Sequence, residues 1–320
     1  MKRRHIILSG LLLSLCATVS AQNAGKPLRL VVPFPPGGAT DITARVLSEP
    51  LGRALGQPVI VDNRAGAGGS LGMAEIAKSA PDGLTLGLAT LSTHGVNPAV
   101  YKKLSYDPVK DFTPISELVK APGVLVVNAS LPVKTVQELV AYAKANPGKL
   151  TYASAGNGTV SHMWGELFKS STGTFMLHIP YRGAGPAIND LLAGQVQVYF
   201  DQVASSLSHI QSGRVRALAV SWPKRLDVLP NVPTYAEAGL ASNNDPSWFG
   251  LLAPKGLPPE QTKRINAAVL AVLKDPQVQQ KLAQQGLFAS GSSPEAFGKQ
   301  VAGEIQKMSK IAKYAKVELD

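Results

Sequence analysis

A repeated rhythm constrains this chain more than any other feature: short apolar runs alternate with amphipathic stretches, and proline or glycine marks nearly every boundary. Residues 28–34 read as a buried strand that Pro35, Pro36, Gly37 and Gly38 break off. From Thr40 or Asp41 a helix follows, with Ile42 and Val46 on one face and a kink expected at Pro50. Residues 58–62 form a second short strand. A glycine-rich turn over 64–69 leads into a helix that ends near Pro81, and residues 84–91 form a third strand. Strand, helix, strand, helix, strand is the pattern of a parallel sheet covered on both faces.

The middle of the chain repeats that pattern. Thr135 and Glu138 have the spacing of a capping box, and Pro147-Gly148 stops the helix they open. A strand over 150–154 runs into a turn at 155–158. Thr159 is placed to cap a helix carrying Val160, Met163, Trp164, Leu167 and Phe168. Strands are expected at 178–181, 195–201 and 215–221, with a helix between Gly185 and Gly194. The C-terminal part reads as amphipathic helices over 259–274, from Asp275-Pro276 to Gly286, and over 294–313. Two apolar segments, 123–128 and 247–253, fit inside neither unit and read as paired crossing strands between two lobes. The expected organisation is therefore an α/β chain of two lobes. One is built from residues 22–124 and 249–320, the other from 125–248, and a double hinge suits clamshell closure.

The N-terminus has the three parts of an export signal. Lys2, Arg3 and Arg4 are its positive region, residues 6–19 its uncharged apolar stretch, and Ser20-Ala21 its small-residue end, which predicts a signal peptide over 1–21 with cleavage after Ala21. The apolar stretch is shorter than the roughly 20 residues of a spanning helix. The single cysteine, Cys16, lies inside this segment, and the bulky Leu15 before it argues against a lipoprotein cut. A mature chain without thiols has no disulfide, thiolate metal site or cysteine nucleophile.

Of the net charge of +11, the signal carries three, which leaves +8 scattered along the chain. Without a basic run interleaved with aromatics, nucleic acid is not an expected partner. A mildly positive surface favours anionic solutes and is equally an ordinary solvated surface.

Two strand-to-helix turns look alike. One runs from Phe34 through Gly37 and Gly38 to Asp41, the other from Ser154 through Gly156 and Asn157 to Thr159. Helix N-termini present free N–H groups and a partial positive charge, and ligands of open α/β sheets sit beyond the carboxyl ends of the strands. One such turn per lobe would grip an anion from both sides. Other motifs are weaker. The glycines at 66–72 lack the dinucleotide-binding spacing, no phosphate-binding lysine loop is present, and no cofactor is expected. His162 and Glu166 share a helix face without a third metal ligand, so His162 is expected to pack or hydrogen-bond near the helix start. Asp201 ends a strand on the ligand side, where it can accept from a ligand hydroxyl or amine.

In order along nearly the whole mature chain, several stretches resemble one family. They are 31–38 with Asp41, 61–69, Asn97-Pro98 with Tyr101, Tyr106-Asp107-Pro108 with 111–114, 152–159 with His162, 180–183 and 232–234. The chain resembles the substrate-binding proteins of tripartite tricarboxylate transporters, also called Bug proteins; Ala65 departs from the proline that many members carry. The resemblance implies a Venus-flytrap, type II-like periplasmic-binding fold. It also implies capture of a small carboxylate by the two glycine turns and delivery to a membrane permease of the same tripartite type, by a periplasmic, monomeric, non-enzymatic protein. Phe34, Ser92, Thr93, His94 and Asp201 are then candidate selectivity positions. The rival readings are a ligand-binding sensor that feeds no permease, and a periplasmic hydrolase using Ser154 with His162 as base.

Overall fold

The computed structural model of the chain describes residues 26–320, so the expected signal peptide lies outside the described residues. Two sheets organise the molecule. The first holds β1 (Leu28–Val32), β2 (Val59–Asn63), β3 (Thr85–Thr90), β4 (Phe112–Ala121), β10 (Ser247–Pro254) and β11 (Phe288–Ala289), in the order β2-β1-β3-β10-β4-β11. The second holds β5 (Gly123–Asn128), β6 (Thr151–Ser154), β7 (Leu177–Pro180), β8 (Val198–Gln202) and β9 (Val215–Ser221), in the order β7-β6-β8-β5-β9.

Both orders express one plan. Three parallel strands, β2-β1-β3 and β7-β6-β8, are followed by one antiparallel strand and then by the fourth strand of the unit. In each sheet the antiparallel strand arrives from the other lobe. β4 leaves the first sheet through Pro122 and becomes β5 of the second, and β10 returns after β9. The segments expected to pair as crossing strands therefore do not pair with each other. Gly123–Asn128 bonds to β8 and β9, and Ser247–Pro254 bonds to β3 and β4. Sheet membership also moves the expected boundaries. Gly123 and Val124 pair in the second sheet, while Ser247 and Trp248 pair in the first, so the crossings lie at Pro122 and between Ser221 and Ser247.

Helices cover the sheets where the apolar spacing places them. α1 (Ala39–Leu55) continues past Pro50, which is buried and lacks the N–H that would close a turn there. α2 is Ser70–Ala77. α3 (Val136–Ala145) starts at Thr135, whose hydroxyl accepts from Glu138 N at 3.1 Å; the Glu138 carboxylate accepts from Lys134 N at 2.6 Å. α4 (Val160–Thr172) is capped by Thr159 as expected, and α5 is Ala184–Leu192. α6 (Val203–Gln211) and β4 were not foreseen from the sequence. In the C-terminal region Asp275 caps α8 (Pro276–Gln284) after α7 (Pro259–Lys274), and Ser293 caps α9 (Pro294–Ala315). α9 packs on β4 and on α4, so Phe297 and Met308 share one apolar cluster with Trp164 and Phe168 of the other lobe. The α9 seam thus ties the two lobes together.

Candidate functional site

The first turn is assembled from a distance. Gly37 has φ +87°, a conformation that favours glycine, and its N–H donates to Asp41 Oδ2 at 3.0 Å. Arg45 Nε donates to the same oxygen at 2.9 Å, and Asn63 Nδ2 donates to Oδ1 at 3.0 Å. Burial pushes the Asp41 carboxyl up, but the bonds from Arg45, Gly37 and Asn63 outweigh it and leave the pKa below the ordinary range. Gly38 is the N-cap of α1 and carries no capping side chain. The first N–H groups of α1 have no intrahelical partner, and Gly38, Ala39 and Thr40 line an interlobe cavity of about 40 Å³.

The second turn faces them and is built differently. Its amides are largely occupied. Ala155 N donates to Ser161 Oγ at 3.3 Å, Gly156 N to Ser154 Oγ at 3.2 Å and Gly158 N to His162 Nδ1 at 3.4 Å. Val160 N donates across the lobes to Ser92 Oγ at 2.9 Å. This side contributes Thr159, Val160 and Ser161 to the cavity, and Asp201 and Gln202 at the end of β8 form another wall. Phe34 and Phe249 complete an apolar rim. Among the described residues no lysine or arginine lines this cavity, and its one charged group is Asp201. Asp201 is buried, and Oδ2 accepts from the Ser205 and Ser206 hydroxyls at 2.6 Å each. Burial raises its pKa despite those bonds.

Beyond Phe34 and Pro35 an outer chamber of about 560 Å³ opens, lined by Gly66, Tyr101, Gly156, Asn157 and Arg182 among others. There Tyr101 OH donates to Asn157 O at 3.1 Å, a second bond between the lobes. Glycines make this approach possible. A Cβ at Gly158 would lie 2.4 Å from Tyr101 Cε2, and one at Gly68 would lie 2.5 Å from Asn157 O.

Two crossed lobes with one ligand-sized cleft at facing helix N-termini are the frame of a solute receptor, and residues 43–317 match the family model described as "Tripartite tricarboxylate transporter family receptor". The chain belongs to that family. Solved structures agree with it in sequence and fold. The periplasmic binding protein BugD is 36% identical, with a TM-score of 0.88 over 91% of this chain and 98% of its own. R. palustris Rpa4515, solved with adipate, is 36% identical with a TM-score of 0.89, covering 92% and 98% of the two chains. MatC from Rhodopseudomonas palustris, solved with malate, is 34% identical with a TM-score of 0.85, covering 89% and 98%. The two-lobed fold is thus that of the periplasmic binding proteins, and the family is one of solute-binding receptors.

Not every residue expected at the receptor's cleft lies there. Phe34, Gly38, Ser92, Thr159 and Asp201 line the inner cavity; Gly156 and Asn157 line the outer one. Gly37 and Asp41 stand behind the first turn as braces. Thr93 is buried in bonds to Thr90 rather than presented to the cavity. His94 departs furthest from expectation. The π-helical turn Ser92–Val96 sends Ser92 to the cleft and His94 to the opposite side, where its ring meets Phe112 edge-on at 5.1 Å.

His162 sits behind the second turn, and its buried ring has a lowered pKa. It stacks on His178 at 4.1 Å. His178, missed by the sequence reading, is the histidine that meets Ser154, with Nε2 2.6 Å from Oγ. Ser154 is fully buried and its hydroxyl also bonds the Gly156 backbone, so it fixes the turn rather than facing a substrate. Ser161, Gln202 and Phe249 are further cavity residues that the sequence reading did not single out.

Proposed function

We propose that the receptor captures a small carboxylate in the interlobe cleft and delivers it to a membrane permease of the tripartite tricarboxylate type. The uncapped N-terminus of α1 carries this reading. Gly38, Ala39 and Thr40 bring the free N–H groups of the helix start to a cavity that Thr159 and Ser161 also line, their own hydroxyl protons being donated to Gly156 O and Phe200 O. Such donors suit an anion without a paired cation, and they act on a carboxylate more strongly than on its amide or ester. The adipate and malate held by two relatives are of this chemical class. The inner cavity of about 40 Å³ has room for a carboxylate head, and the outer chamber accepts the rest of a longer acid. Asp201, on the wall of the inner cavity, accepts from a ligand hydroxyl or amine close to the carboxylate head.

The protein acts in the periplasm as a monomer, exported by cleavage after Ala21. Mass spectrometry of periplasmic material finds a chain starting at Gln22, and a lipidated chain starting at Cys16 would overturn that reading. The ligand test is a thermal-shift screen of the mature protein against a carboxylate panel with matched amides. A cognate acid at a hundred times its Kd stabilises the fold by about 2.7 kcal/mol. Equal shifts from acid and amide would sink the carboxylate reading.

A further inference from the structure

A second cavity, of about 230 Å³, lies away from the cleft beneath α9. Phe112, Pro114, Leu252, Phe297 and Val301 give it apolar walls, and the half-exposed Val109 stands at its edge. Among the described residues one polar side chain lines it, that of His94, which is only 1% exposed. His94 Nδ1 lies 2.9 Å from Thr93 Oγ1, while Nε2 is buried without a partner among the described residues. The 2.9 Å contact fits either tautomer; assigning the Thr93 hydroxyl proton to the Thr90 carbonyl at 3.2 Å places the ring proton on Nδ1 and makes Nε2 a bare acceptor. Burial holds the ring neutral, pushing its pKa down to about 3.

A buried acceptor without a partner is unfavourable. Water is a poor remedy here, because an ordered water needs two to four polar partners and this cavity offers one polar side chain. An apolar cavity of about 150 Å³ takes up benzene, so this larger one has space for a substituted ring. We propose that the cavity binds a small neutral phenol, its hydroxyl donating to His94 Nε2 and its ring packed against Phe112 and Phe297. The occupant would rest on the same π-helical turn that carries Ser92, and so at the back of the interlobe contact.

The test is a titration of the mature protein with p-cresol and with toluene, which has the same ring and methyl group but no donor, read by histidine ¹⁵N spectra and by calorimetry. p-Cresol saturably shifts the His94 Nε2 resonance, and toluene binds about tenfold more weakly, the loss of one hydrogen bond to a buried acceptor. His94→Phe removes that preference. Gly298→Leu fills the cavity from a position where a Cβ already stands 3.4 Å from Pro114 Cγ, and abolishes the p-cresol response. An unchanged His94 resonance at the solubility limit, equal affinity for the two compounds in the wild type, or an intact response in folded Gly298→Leu would each overturn the proposal.

Discussion

The two glycine turns look interchangeable in the sequence, yet they are built to opposite designs. The first is braced from behind: Asp41, Arg45 and Asn63 hold the backbone, and the residues at the start of α1, whose first N–H groups have no intrahelical partner, line the cavity. The second has its amides engaged by Ser154, Ser161, His162 and, across the lobes, Ser92. Its Thr159 and Ser161 hydroxyls are bonded to backbone carbonyls, and the turn makes the contact between lobes. On the proposed reading the first turn is the anion receptor and the second a clasp, and resemblance in glycine content says little about which amides remain free.

The largest effect expected from this contrast is at the clasp. In Gly158→Val the side chain meets Tyr101 across the lobes, and φ of +71° adds strain. Losing the Tyr101–Asn157 and Ser92–Val160 bonds, at about 1 kcal/mol each, weakens ligand binding about thirtyfold. Small-angle scattering then shows no ligand-dependent contraction. Wild-type affinity in this variant would break the assignment of the second turn.

Next, one methyl group distinguishes the two turns. Gly38 has φ −79° and a Cβ there meets Ala184 Cβ at an ordinary 3.6 Å, so Gly38→Ala keeps the apo fold and costs about tenfold in affinity by crowding the donors. Gly156 has φ +131° and a Cβ there lies 3.1 Å from Tyr181 O. Gly156→Ala therefore lowers apo stability by about 1–2 kcal/mol while changing affinity less than Gly38→Ala does. Calorimetric titration and thermal melts of both variants decide the point; the reverse pattern would exchange the roles of the turns.

A smaller effect is expected at Asp201. Its folded pKa is raised, so its protonated form is favoured by folding, and that contribution is present at low pH and lost as pH rises through the folded value. Asp201→Asn accordingly stabilises the apo protein at neutral pH and flattens its dependence on acid. It shifts preference about fivefold away from acids bearing a hydroxyl or amine, the value of one hydrogen bond. Unchanged preference across such a pair would remove Asp201 from ligand reading.

The smallest effect is at the brace. The folded pKa of Asp41 is depressed, so its contribution is present above the unfolded value and is lost as pH falls through the folded one. Asp41→Asn costs less than about 1 kcal/mol at neutral pH, as expected for a pair whose arginine is exposed. Its acid melting curve shows a shallower decline than that of the wild type. An identical curve would mean that the first turn does not depend on this carboxylate.

Local chemistry was legible in the sequence and register was not. Thr135, Thr159 and Asp275 cap helices where their spacing places them. β4 was hidden because Pro114, Glu117 and Lys120 interrupt its apolar pattern. In the fold Pro114 sits at a register shift against β10, and buried Glu117 pairs with Lys120 at 2.7 Å. α6 was hidden because Ser205 and Ser206 resemble a loop, although their hydroxyls serve Asp201. His178 reaches Ser154 because β6 and β7 run in parallel with Tyr152 opposite His178, an alignment that no local pattern announces. His94 was misplaced because a π-helical turn sends near neighbours to different cavities, Ser92 to the cleft and His94 beneath α9.

The exchange of one strand between sheets also sets an order of assembly. The second sheet is contiguous in the chain, from Gly123 to Ser221, so it can close as soon as those residues are available. The first cannot: a gap remains between β3 and β4 until β10 arrives, and α9 comes later still. Pairings between such distant segments form slowly, since the intervening chain must first be drawn in. A chain emerging from its N-terminus would thus carry an unfinished first half while its middle folds. Truncation before Ser247 should leave a protein with one ordered lobe and an open, aggregation-prone seam where β10 belongs.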